Sequence, residues 1–187
     1  MINSNAIDQY LESKFPNAQT SIFRDLSLNF KKVLEESALD PQERMLNLAA
    51  IATSLHDKDL QKLAITHLNE MGLTPEQTAE AFEVAGIMGM LNTYYKFKGY
   101  LDPQTLENYS RAGLRMQSLT KPHNGKERFE MMALAVSAIN GCPTCISSHE
   151  KVLVQHGVSF DKIHDVARMA AICKGLNSLQ HAFFKSN

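Results

Sequence analysis

Three of the six prolines stand where a long helical run begins. Asp40-Pro41 and Thr74-Pro75 each place a capping side chain directly before the proline, and Cys142-Pro143 opens a third run. A proline in the first helical position lacks only an N–H that would be unpaired there anyway. The stretches around these signals have a helical period. Leu60, Leu63, Ala64, Leu68 and Met71 recur at three and four, and Gly72 follows as a C-terminal cap. Thr74-Pro75-Glu76-Gln77 predicts the cap, first-turn proline and acidic first turn of a helix running through about Tyr95. Arg44 to Leu55 is apolar and small without alternation, Phe129 to Ile139 is apolar or small except for Glu130 and Ser137, and no stretch has the β-branched alternation of a strand between turn residues. The expected fold is all-α.

Composition narrows the function classes. With 187 residues, 44% hydrophobic and 21% charged, the chain can bury a substantial core. Its net charge of −1 lacks the basic excess of a nucleic-acid-binding domain. No run reaches the ~18 apolar residues of a membrane span, and Met1 to Tyr10 lacks the layout of a signal peptide. Three cysteines are too few for a disulfide scaffold. The pair Cys142/Cys145 therefore reads as redox-active or metal-binding in a reducing, cytoplasmic compartment.

The chain is expected to be a single domain over 1–187, with one repeat at about 41–97, a connection over 98–125 and a second repeat at about 126–184. Leu68, Gly72, Ala85, Ile87, Leu91 and Asn92 recur at one constant offset as Leu153, Gly157, Ala170, Ile172, Leu176 and Asn177. Glu43-Arg44 matches Glu127-Arg128 one residue out of that register. Asp57 and Lys58 stand where the second copy has its cysteine region, so the chemistry belongs to the second copy. The connection carries Gly99, Pro103, Gly113, Pro122 and Gly125, and it is rich enough in Leu, Tyr and Met to predict a short helix around Pro103–Ala112.

The second copy holds the candidate site. Asn140-Gly141 breaks one helix and Pro143 opens the next. Cys142 and Cys145 then share a face of the first turn, and His149, four residues after Cys145, lies on that same face. If the two helices fold back as a hairpin, Glu130 comes level with His149. Carboxylate, imidazole and thiol then form a base-activation relay. The helix N-terminus favours a thiolate, and the partner cysteine traps an oxidised sulfur as a disulfide. Spacing alone leaves both cysteines as candidate nucleophiles. The first cysteine attacks in thioredoxin-type sites; His149 favours Cys145, with Cys142 as resolver and as the more accessible sulfur for an outside reductant. A structural zinc-binding or interaction module is the competing reading, because Cys142, Cys145 and His149 supply three of four tetrahedral ligands, but no second spaced pair completes the set. Cys173 reads as a core residue, and Met88, Met90, Met131 and Met132 as core packing.

Ser137-Ala138-Ile139-Asn140-Gly141-Cys142-Pro143-Thr144-Cys145, followed by Ser148-His149-Glu150, resembles the signature of the alkyl hydroperoxidase AhpD family of the carboxymuconolactone decarboxylase-like superfamily. Ile87-Met88-Gly89-Met90, Tyr94 to Leu101 and Gly113-Leu114-Arg115-Met116 are similar as well, and the resemblance runs from about Pro41 onward. It implies an all-α fold with a repeated helical unit, assembled as a homotrimer or related oligomer. It also implies peroxide reduction by a thiol pair, recycled by a lipoyl-bearing acyltransferase and coupled to an AhpC-type peroxiredoxin, with no bound cofactor or metal. By position it makes Cys145 peroxidatic, Cys142 resolving, and Glu130 and His149 the proton relay. Thr144 departs from the family pattern, which has a histidine there, and a hydroxyl is a poor acid for an alkoxide leaving group. A lactone decarboxylase role within the same superfamily is the third reading, though it leaves the paired thiols without a purpose.

Overall fold

The computed structural model describes residues 4–16 and 18–183. Among them are nine α-helices and no strand: α1 (Ser4–Lys14), α2 (Ser21–Glu35), α3 (Pro41–Ser54), α4 (Lys58–Glu70), α5 (Pro75–Gly99), α6 (Pro103–Leu106), α7 (Lys126–Asn140), α8 (Pro143–Gln155) and α9 (Phe160–Phe183). The proline starts of α3 and α5 carry full capping boxes. Asp40 accepts from the Glu43 N–H while the Glu43 carboxylate accepts from the Asp40 N–H, and Thr74 and Gln77 repeat the exchange.

Two helices form the centre. Met45 to Ala52 of α3 and Phe129 to Ser137 of α7 are buried at every position, so each helix is enclosed on all sides. They pack on each other; α4 and α5 lie against α3, and α8, α9 and α5 against α7. The starts of α3 and α7, of α4 and α8, and of α5 and α9 share one sequence spacing. Asp57 caps α4 through the N–H groups of Asp59 and Leu60, and it is buried beneath Tyr10, Lys14 and Gln180, which donate to it at 3.0, 3.1 and 2.5 Å. Burial alone would raise the Asp57 carboxyl. The hydrogen bonds from the Leu60 N–H, Lys14 and Gln180 outweigh it and hold the group below its ordinary range. Cys173 is buried nearby, and burial, with the Asp57 charge adding to it, pushes its thiol far up.

Several boundaries differ from the sequence expectation. α5 runs on to Gly99. The helix expected over Pro103–Ala112 stops at Leu106 and continues only as a 3-10 turn over Glu107–Tyr109, because the Asp102 cap organises a single turn. Met90 is not core: it is 37% exposed on the outer face of α5. α1 and α2 precede α3 and bury Ile7, Tyr10, Leu11, Phe30, Val33 and Leu34. Among the described residues no helix is long and apolar enough to cross a membrane.

Candidate active site

The site is built on the reversal between α7 and α8. Gly141 is left-handed (φ 64°), and its N–H reaches the Ala138 carbonyl while the Cys142 N–H reaches that of Ser137. This is a double-bonded helix stop that favours a residue without Cβ. The turn delivers Cys142 to the start of α8 and Cys145 to its first turn. The two sulfurs are joined as a disulfide with Cα atoms 5.3 Å apart. Unlike Asp57, Cys142 makes no side-chain cap, so α8 begins with its first N–H groups uncapped.

The hairpin brings Glu130 of α7 against His149 of α8. Glu130 Oε2 lies 2.6 Å from His149 Nδ1, and Lys126 Nζ donates to the other oxygen at 2.7 Å. Burial would raise the Glu130 carboxyl, but hydrogen bonds and charge from His149 and Lys126 hold it below its ordinary range. Glu130 is therefore ionised at neutral pH and can only accept. Nδ1 of His149 is then the donor in this bond, and Nε2 is the ring nitrogen left to exchange a proton with other groups. Sequence reasoning misses Lys126; its spacing of four before Glu130 is the signal that could find it.

A cavity of about 240 Å³ lies between α5 and α8. Met88, Leu91, Asn92 and Tyr95 line one wall, and Cys145 and His149 stand on the other with Thr144 and Ser148. The burial of the two cysteines runs against the sequence expectation: both residues are buried, Cys142 the more completely. Cys142 is 0% exposed and Cys145 is 6% exposed. The C-terminal end of α5 lies beside Cys142: Tyr95, Lys96 and Gly99, with Tyr100 just beyond the helix, line a second cavity together with it.

α5 also holds the turn itself. Asn92, fully buried, donates to Ser137 Oγ at 3.0 Å and accepts from Asn140 Nδ2 at 2.9 Å, while Lys96 Nζ reaches the Asn140 carbonyl at 3.1 Å. No local sequence pattern announces these bonds, because they join residues more than forty positions apart. Asn92→Ala is expected to cost about 1–3 kcal/mol by leaving buried partners unpaired. Chemical denaturation of the reduced protein measures this, and an unchanged midpoint would exclude the network as a support.

Among the described residues no group of three or more His, Cys, Asp or Glu side chains is placed to hold a metal ion. The Carboxymuconolactone decarboxylase family matches residues 109–184, the segment that holds α7, α8 and α9. Over 149 residues the chain is 40% identical to an alkyl hydroperoxide reductase AhpD of Anaeromyxobacter dehalogenans, covering 80% of this chain and 79% of the relative. It is 35% identical to the protein of that name from Rhodococcus erythropolis over 160 residues (86% and 88%), and 37% identical to that from Rhizorhabdus wittichii over 162 residues (86% and 92%). The chain belongs to the AhpD family of alkyl hydroperoxide reductases.

Proposed function

We propose that the protein is a thiol-dependent alkyl hydroperoxide reductase whose electrons pass through Cys142 and Cys145. The observation that carries this reading is the Glu130–His149 pair at 2.6 Å, in a chain whose Cys145 and His149 line one cavity and whose Cys145 is disulfide-linked to Cys142. In the reduced protein, Nε2 of His149 takes the Cys145 proton directly or through a water, and Glu130 stabilises the imidazolium. The thiolate, favoured by the uncapped start of α8, attacks the terminal oxygen of the hydroperoxide. The O–O bond breaks, the alcohol leaves, and Cys145 becomes a sulfenic acid. The Cys142 thiol displaces water from that sulfur and closes the disulfide. A dithiol then returns two electrons, by attack on one sulfur and closure of its own disulfide.

The family resemblance supplies the finer proposals. The dithiol is a dihydrolipoyl group on an acyltransferase, an AhpC-type peroxiredoxin receives electrons from the pair, and the protein works as a cytoplasmic homotrimer or related oligomer. We also read the two helical triplets as copies of one unit, of which the second carries the chemistry. With dihydrolipoamide as donor, the purified protein is expected to consume an organic hydroperoxide catalytically and to accumulate the Cys142–Cys145 disulfide when the donor runs out. Dithiol-independent rates, or a pair that stays reduced while peroxide disappears, would refute the electron path.

A further inference from the structure

Peroxide cleavage needs two proton transfers, and the Glu130–His149 pair accounts for one. The second proton must reach the alkoxide that departs. Attack on an O–O bond is in line, so the leaving oxygen moves away from the sulfur. With Cys145 on the α8 wall of the cavity, that direction leads to the α5 wall, made by Met88, Leu91, Asn92 and Tyr95. Met88 and Leu91 have no proton to give. The Asn92 amide is bound to Ser137 and Asn140, and an amide is no acid. Tyr95 is the one acid on that wall. It is half-buried, and among the described residues no group hydrogen-bonds its hydroxyl. It also lines the second cavity, against Cys142; Tyr95 and Thr144 are the two side chains common to both.

We propose that Tyr95 is a catalytic residue, the acid that protonates the departing alkoxide. The inference rests on the function proposed above. A phenol is a far stronger acid than an alcohol and gives its proton readily to a departing alkoxide. The aliphatic hydroxyls of Thr144 and Ser148 have no such advantage. The Tyr95 phenolate recovers a proton from the His149 imidazolium through the solvent of the cavity. The net step is Cys145 thiol plus hydroperoxide giving Cys145 sulfenic acid plus alcohol, with the Tyr95 proton on the alcohol and the thiol proton replacing it on Tyr95.

The test compares two leaving groups in single-turnover oxidation of the fully reduced protein, so that the donor plays no part. tert-Butyl hydroperoxide releases an alkoxide that needs an acid; peracetic acid releases a carboxylate that does not. Tyr95→Phe keeps the ring and its packing. It is expected to slow the alkyl hydroperoxide by about 10²-fold, while the peracid rate falls by no more than a few-fold. Thr144→Val is expected to show no such dependence on the leaving group. An equal loss with both oxidants makes Tyr95 a packing residue and overturns the proposal, as does an unchanged Tyr95→Phe or a leaving-group effect that appears in Thr144→Val instead. If the wild-type thiols react with neither oxidant, the proposed function fails along with it. Normal wild-type rates with an insensitive Tyr95→Phe sink the acid assignment alone.

Discussion

Cys145→Ser is expected to bring hydroperoxide consumption down to the background of the free dithiol. A serine hydroxyl beside His149 is neither appreciably ionised nor able to hold a sulfenic oxygen, so no other step of the cycle can start. Cys142→Ser should behave differently. Its Cys145 thiolate still completes the first turnover, but no neighbouring thiol captures the sulfenic acid, which advances to the sulfinic and sulfonic states as peroxide accumulates. Mass spectrometry of the two variants after peroxide treatment separates the roles: oxygen added at Cys145 in Cys142→Ser, and an essentially unmodified Cys142 in Cys145→Ser. The reverse pattern would exchange nucleophile and resolver. The burial of Cys142 favours Cys145 as the nucleophile, since Cys145 is the sulfur on the cavity with His149.

His149→Ala is expected to slow thiol oxidation by about 10²–10⁴-fold near neutral pH. The deficit should shrink as pH rises past about 8.5, where an unassisted thiol ionises by itself. Stopped-flow rates across that range check both parts, and a deficit that does not change with pH would assign His149 a structural role. The Glu130 carboxylate sets a second pH dependence, this time on stability. Its pKa is lowered in the folded protein, so its contribution is full above the ordinary carboxylate range and is lost as pH falls through the folded value. Glu130→Gln should therefore flatten the acid side of the stability profile as well as slow the reaction.

The second-half site is legible in the sequence because helix geometry fixes it. A spacing of three joins Cys142 to Cys145, a spacing of four aligns Cys145 with His149, and Asn140-Gly141 can only be a reversal, which sets Glu130 opposite. The α5 contribution is not legible. Asn92, Tyr95 and Lys96 reach the site because a long helix crosses the α7–α8 turn, and no local period encodes a crossing. The same crossing helix lies beside Cys142, which reads as the accessible sulfur from spacing but is buried in the fold. α1 is silent for a different reason. Its eleven residues are largely polar, and the apolar side chains it buries are too few to stand out in so short a run.

The contrast between Asp57 and Cys142 shows what the site gives up. At the start of α4 the chain uses a carboxylate, held by two backbone N–H groups and by Tyr10, Lys14 and Gln180. At the start of α8 it forgoes that bracing, a sacrifice of roughly 1 kcal/mol by the usual worth of a cap. The disulfide ties this end together when oxidised, and the thiolate charge does part of the same work when reduced. The weakest moment of the cycle is then the reduced, protonated dithiol, when neither prop is in place. Resistance to heat thus becomes a running record of the protein's electron count: highest when oxidised, and lowest when reduced at a pH that keeps both thiols neutral.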